Sequence, residues 1–196
     1  MRLGLYGGTF DPIHCAHVAV AEAAAIEFGL SKVLLIPNRI PPHKEEATGA
    51  SFEQRLRMVE LAVAGHPLLE ACDIERHEGK SYTIQTLESL HSSYGGSAKI
   101  FFIIGADAFA EATTWHRAEE VFRLTEFIVA ARPGYKYETP AGAVVHRMDS
   151  VQFLESSTAM RASLAAGEMP FGLPLKVAEY IMSTGLYRTE GLVTNA

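Results

Sequence analysis

Cysteine is scarce. Cys15 and Cys72 are the only two in 196 residues, which excludes a disulfide-stapled framework, and neither has a partner at metal-ligand spacing. A reducing, cytoplasmic setting is the expectation. Basic charge is short as well: 17 Lys and Arg stand against 23 Asp and Glu, for a formal charge of −6. The phosphate-neutralising surface that non-specific nucleic-acid binding requires is therefore missing, although a local pocket for a small anion is not excluded. No apolar run approaches the roughly 20 residues of a membrane-spanning helix. The opening stretch Met1-Arg2-Leu3-Gly4-Leu5-Tyr6-Gly7-Gly8 breaks on glycine before a signal-peptide core could form. Neither a membrane nor a targeting route is expected, and there is no linker, repeat or low-complexity tract. A chain 48% hydrophobic and 20% charged has the balance of a soluble globular protein. Its length suits one domain, expected over residues 1–188 with a C-terminal tail at 189–196.

What the chain does contain is an alternation of apolar runs of strand length with longer helical patterns, the signature of parallel βαβ units. Strands are predicted at Leu3–Tyr6, Val33–Pro37, Glu70–Ile74, Lys99–Ile104 and Glu126–Ala131. Helices are predicted near His17–Phe28, Phe52–Ala64, Thr83–His91 and Ala106–Leu124, the last broken at Thr113–His116. Ile100-Phe101-Phe102-Ile103-Ile104 shows no polar alternation, as expected when helices cover both faces of a parallel sheet. After Arg132-Pro133-Gly134 follow a loop, a short strand near Val144–Met148 and two helices near Thr158–Ala166 and Leu173–Ser183. The expected fold is α/β, a doubly wound, Rossmann-like parallel sheet with C-terminal helices. Ligands of such sheets bind beyond the carboxyl ends of the strands, which directs attention to Gly7–His17, Pro37–Ala50 and Gly105–His116.

Four clusters could carry chemistry. In the first, the predicted strand runs into Gly7-Gly8-Thr9-Phe10-Asp11-Pro12-Ile13-His14-Cys15-Ala16-His17 and then a helix. Glycines admit close backbone approach, and a helix N-terminus offers N–H groups to phosphate. His14 and His17, three apart, share a face of the first turn, and that turn has no acidic residue to oppose an anion. Zinc at His-x-x-His is disfavoured, since it needs three or four protein ligands. In the second cluster, Ser156-Ser157-Thr158-Ala159-Met160-Arg161, a serine is expected to cap a helix whose early turns hold a cation. Arg161 there meets the helix dipole unfavourably, so a negative partner is expected. The third, Asn38-Arg39-Ile40-Pro41-Pro42-His43-Lys44 with Arg55 and Arg57 following, reads by itself as a surface loop. The fourth is Gly105-Ala106-Asp107 with Trp115-His116: an acid past a strand end can accept from ribose hydroxyls, and a flat ring can stack, although core packing suits Trp115 equally well. Ser81 reads as an N-cap before Tyr82-Thr83.

Gly7-Gly8-Thr9-Phe10-Asp11-Pro12-Ile13-His14-x-x-His17 together with Ser156-Ser157-Thr158-x-x-Arg161 resembles the paired signatures of the nucleotidyltransferases with a His-x-Gly-His motif. The chain is similar to their bacterial nicotinate-nucleotide adenylyltransferase branch from Leu3 to about Tyr187. Ala16 stands where that family has glycine, and Gln85 where it commonly has Asp. The resemblance implies transfer of AMP from ATP to nicotinate mononucleotide, giving nicotinate adenine dinucleotide and pyrophosphate in NAD biosynthesis. It implies that Gly7, Gly8, Thr9, Phe10, His14, His17, Gly105, Asp107, Ser156, Ser157, Thr158 and Arg161 hold ATP, with His14, His17 and Arg161 the catalytic set. Lys44, Tyr82, Thr83, Trp115 and His116 would hold the mononucleotide. Mg2+ would ride on the ATP phosphates, with no protein metal site, nucleic acid or membrane partner, and a homo-oligomer is left open. The rivals are another superfamily transferase, such as pantetheine-phosphate adenylyltransferase or a cytidylyltransferase, and a non-catalytic nucleotide sensor.

Overall fold

Leu3, Leu5 and the run Ile100–Ile104 are buried on both sides of their strands because helices sandwich the sheet. The computed structural model describes residues 1–40, 48–77, 81–95, 97–131, 134–151 and 156–188. Among them lie β1 (Arg2–Gly8), α1 (Cys15–Glu27), β2 (Lys32–Pro37), α2 (Phe52–Val63), β3 (Leu69–Ala71) and α3 (Thr83–Tyr94). There follow β4 (Lys99–Gly105), α4 (Ala106–Phe109), α5 (Ala118–Leu124), β5 (Glu126–Ala130), β6 (Val145–Met148), α6 (Ser157–Ala165) and α7 (Leu175–Thr184). The strands form one parallel sheet in the order β3-β2-β1-β4-β5-β6. This is the expected doubly wound, Rossmann-like architecture.

Alternate residues of each strand serve opposite cores. Phe101 and Ile103 pack with Val20, Ala24, Met58, Val59 and Val177 of α1, α2 and α7, while Ile100, Phe102 and Ile104 pack with Ile84, Leu87, Phe109 and Val121 of α3, α4 and α5. Period-2 geometry thus produces an unbroken apolar run when both faces are covered. Gly4 of β1 has no room for a side chain: a Cβ there would stand 2.8 Å from Val33 and 2.9 Å from Leu30.

Beyond shifts of a few residues at element ends, three local features depart from expectation. β3 ends at Ala71, not Ile74, because Asp73 begins a turn that Arg76 N–H closes onto the Asp73 carbonyl at 2.8 Å. The predicted helix Ala106–Leu124 is three pieces, α4, a 3-10 turn over Ala112–Thr114, and α5. Arg117, in the left-handed region at φ 57°, separates the last two. Ser81 does not cap α3: Tyr82 holds the N-cap position, and Ser81 Oγ instead accepts the Arg39 N–H at 2.8 Å.

Candidate active site

β1 connects through α1 to β2 on one side, whereas its other neighbour is β4, so the strand order reverses between β1 and β4. The carboxyl ends of these two strands part there, leaving a crevice as such topologies do. A cleft of about 260 Å³ opens at this point, lined by Tyr6, Gly7, Gly8, Phe10, His14, His17, Ile104, Gly105, Asp107, Ala108, Ser156 and Ser157. Nine of the residues predicted for ATP therefore converge on one space from β1, α1, β4, α4 and α6.

The floor is shaped by close packing. Phe10 is buried with φ +49°, a conformation that non-glycine residues seldom adopt outside constrained sites. Its ring meets Tyr6 edge-on at 5.7 Å and His17 at 5.1 Å. A Cβ on Gly8 would lie 3.0 Å from that ring, and one on Gly105 would lie 2.6 Å from Asp107 Oδ1. The two glycines thus let an aromatic ring and a carboxylate fold over the backbone at the cleft. Burial, and next the negative charge of Asp107, push the Tyr6 phenol well above its ordinary pKa, so it stays protonated.

His14 takes the N-cap position of α1, and its N–H donates to His17 Nδ1 at 3.2 Å. The two imidazoles stack with centroids 3.7 Å apart. Burial, reinforced by the His14 ring, lowers the His17 pKa well below its ordinary value. His17 is thus a neutral ring whose Nδ1 accepts, and the remaining proton sits on Nε2 as a donor. The helix end itself is partly occupied, since Cys15 N–H donates to the Gly172 carbonyl at 2.8 Å.

The second cluster packs beside the first. Ser157 Oγ donates to the Pro12 carbonyl at 3.0 Å, which binds the start of α6 to the Phe10–Ile13 loop. Ser156 occupies the N-cap position, but its hydroxyl makes no capping hydrogen bond, contrary to the sequence reading. Arg161 stands one step outside the cleft lining. Its Nη1 donates to the Asp11 carbonyl at 2.8 Å, Nη2 lies 3.4 Å from Thr158 Oγ1, and the Asp11 carboxylate is 3.8 Å away. The negative partner expected for this cation is thus present within the chain. Thr9 and Thr158 also stand outside the lining, Thr9 giving its carbonyl to Arg55.

Of the residues predicted for the second substrate, Tyr82 and His116 pair ring to ring at 4.8 Å. Trp115 is half-buried against Phe102 at 5.8 Å and Phe127 at 6.4 Å. Thr83 begins α3, whose first turn has no acidic residue. Phe102 separates the two groups: its ring faces Trp115 and also lies 3.7 Å from where a Gly7 Cβ would be. Lys44, with Pro41, Pro42 and His43, lies outside the described residues, as does the expected tail. Ala16 is buried in α1, while Gln85 is exposed on the outer side of α3 beside Glu88 and Ser89.

Sequence reasoning missed Asp11, Tyr187 and the true role of Arg55. Arg55 is buried at 1% exposure, donating to the carbonyls of Thr9 at 2.7 Å, Ala50 at 3.3 Å and Arg39 at 3.3 Å. It ties the β1–α1 loop to both ends of the β2–α2 connection instead of presenting charge to a ligand. The available signal was its place on the apolar stripe of α2, three residues after Phe52 and four before Val59.

Comparison with known proteins agrees with this geometry. A model of the cytidylyltransferase-like family matches residues 5–166. A protein named probable nicotinate-nucleotide adenylyltransferase from Solibacter usitatus is 43% identical over 187 residues, covering 95% of this chain and 100% of the relative. Another of that name from Geobacillus kaustophilus is 38% identical over 197 residues, covering 99% and 89%. Among solved structures, a Plasmodium falciparum nicotinic acid mononucleotide adenylyltransferase complexed with NaAD superposes with a TM-score of 0.78 at 18% identity, covering 95% of this chain and 97% of that one. At that identity it speaks for the fold.

Proposed function

The chain belongs to the cytidylyltransferase-like family and, within it, to the nicotinate-nucleotide adenylyltransferases, and from this we infer that it transfers AMP from ATP to nicotinate mononucleotide. A phosphate oxygen of the mononucleotide attacks the α-phosphorus of ATP, the bond from that phosphorus to the β-phosphate oxygen breaks, and pyrophosphate leaves. The nucleophile is already an anion, so no protein base is required and catalysis reduces to alignment and charge stabilisation. The observation that carries the reading is the convergence of Gly7, Gly8, His14, His17, Gly105, Asp107, Ser156 and Ser157 on one cleft at the β1–β4 switch point.

Within that cleft His17 would donate from Nε2 to a phosphate oxygen, and His14, stacked on it, would face the same chain. Gly7 and Gly8 would admit the nucleotide close to β1, and Asp107 would accept from a ribose hydroxyl. Ser157, Thr158 and Arg161 would meet the β and γ phosphates, Lys44 would help hold the phosphates together, and Ser156, Thr9 and Phe10 would complete the ATP site. Tyr82, Thr83, Trp115 and His116 would receive the pyridine mononucleotide. A divalent cation, which we take to be Mg2+, fits as a guest of the triphosphate. The described residues hold no group of three or more His, Cys, Asp or Glu able to bind a metal, and the described lining contributes no Lys or Arg to offset ATP. When bound, the cation would neutralise phosphate charge as pyrophosphate departs. With only two cysteines in the 196-residue sequence, we take the setting to be reducing and cytoplasmic.

The test is incubation of the purified protein with ATP, Mg2+ and either nicotinate mononucleotide or its amide, with chromatographic detection of the dinucleotide and enzymatic detection of pyrophosphate. Equimolar dinucleotide and pyrophosphate, formed preferentially from the acid, is the expected result. Pyrophosphate without dinucleotide, or neither product, would overturn the reading.

A further inference from the structure

Asp11, 3% exposed, gathers four parts of the chain at one residue. Its Oδ2 accepts the Gly49 N–H at 2.8 Å, while Oδ1 accepts the Ala50 N–H at 3.1 Å and the Tyr187 hydroxyl at 2.8 Å. Its carbonyl accepts from Arg161 Nη1 at 2.8 Å. Tyr187, just beyond α7, closes over this junction in the left-handed region at φ 66°, with a ring so close that a Cβ on Gly49 would lie 2.9 Å from it. The same Cβ would lie 3.3 Å from Arg161 Cδ, so the ring and the guanidinium stem share one wall. Burial, and next the Asp11 charge, raise the Tyr187 pKa, so the hydroxyl remains a donor at any physiological pH.

This arrangement sets how the Asp11 carboxylate and Arg161 meet. A carboxylate beside a guanidinium is drawn into a two-pronged ion pair. Here Gly49, Ala50 and Tyr187 already engage the two oxygens, and Arg161 stays 3.8 Å from Oδ2 while bonding the Asp11 main chain instead. The guanidinium is anchored without being neutralised by a direct bidentate contact. An arginine ordered in advance also avoids the conformational loss that fixing a long side chain on ligand binding entails.

We propose that Tyr187 is a positioning residue for ATP: its hydroxyl fixes Asp11 through Oδ1, and the Asp11 carbonyl in turn holds the Arg161 guanidinium in place for the triphosphate. The C-terminal segment after α7 is thereby part of the substrate-binding apparatus, acting through Asp11 and Arg161. This rests on Arg161 meeting ATP phosphates, as placed under Proposed function.

Steady-state kinetics of the wild type, Tyr187→Phe, Arg161→Ala and the double variant test it. Tyr187→Phe keeps the ring and removes the hydroxyl; KM for ATP is expected to rise about five- to tenfold, in line with the net contribution of one ordinary hydrogen bond, since the effect reaches ATP through Arg161. KM for nicotinate mononucleotide should stay within about twofold. In the Arg161→Ala background the same change should have no further effect on KM for ATP, because its route is gone. Gly49→Ala, which displaces the ring and so carries the retained hydroxyl away from Asp11, should reproduce the ATP-specific rise and serves if Tyr187→Phe folds poorly. Unchanged KM for ATP in both variants, an equal rise for both substrates, or an undiminished effect without Arg161 would each overturn the proposal. Arg161→Ala with normal ATP kinetics would overturn it at its premise, whereas failure of the wild type to form dinucleotide would overturn the functional reading itself.

Discussion

His17 combines a hydrogen bond, a stacked neighbour and a suppressed charge. Its Nδ1 is occupied by the His14 N–H, so its Nε2 donor has one orientation relative to α1. A donor held in advance where charge develops acts mainly on the transition state. His14→Ala and His17→Ala should each lower kcat by about 10²–10³ with a much smaller change in KM for ATP. Retention of more than about a third of wild-type turnover would assign the residue to structure instead. Protonation supplies a separate check. Because the folded state depresses the His17 pKa below its unfolded value near 6.5, the unfolded chain binds more protons below that pH. The contribution is intact above about pH 6.5 and is lost as pH falls toward the folded value, at up to about 1.36 kcal/mol per unit. Urea midpoints measured at pH 7 and pH 5.5 should therefore fall more for the wild type than for His17→Asn. Identical falls would show that His17 does not carry this acid sensitivity.

Between residues and fold stand the loops that close on the strand ends, where neighbouring elements outvote local preference. Ser81 and Ser156 have the chemistry of N-caps, yet one hydroxyl takes the Arg39 N–H and the other makes no cap bond. For Ser81 the competing donor is a backbone N–H 42 residues away along the chain, which composition cannot reveal. Gly105 shows the converse: its φ is −73°, which any residue adopts, so only the approach of Asp107 explains it. Gly105→Ala should therefore leave stability within about 0.5 kcal/mol, since a mobile carboxylate can swing aside. It should raise KM for ATP several-fold by displacing Asp107, the proposed ribose acceptor. Thermal denaturation with ATP kinetics would expose the opposite pattern, a large stability loss with normal KM, if backbone strain were the cause. Arg55 belongs to this scale as well. Arg55→Met keeps much of the apolar stem but strands the Thr9, Ala50 and Arg39 carbonyls, and should cost at least about 3 kcal/mol. A urea midpoint shift corresponding to less than about 1 kcal/mol would mean that water replaces the guanidinium.

Across the whole molecule, legibility followed the range of the interaction. The strands and helices were readable because burying both faces of a parallel sheet demands continuous apolar runs, and Leu3–Tyr6 and Ile100–Ile104 supply them. Gly7, Gly8, His14, His17 and Asp107 were readable because they lie within a few residues of a strand's carboxyl end, where backbone connectivity alone places them at the site. Asp11, Arg55 and Tyr187 were not, since the partners that define them include residues 38 or 39, 46 and 176 positions away along the chain. Sequence by itself determined the α/β alternation and the glycine and histidine cluster, and it carried the two distant motifs, Gly7–His17 and Ser156–Arg161, on which the family resemblance rests. Only the tertiary structure decided that Arg161 answers to Asp11, that Arg55 bonds backbone, and that the C-terminal tyrosine closes over the first loop. Hydrophobic periodicity is written in neighbouring residues, whereas the satisfaction of a buried charge depends on whichever segments the finished fold brings within hydrogen-bond distance.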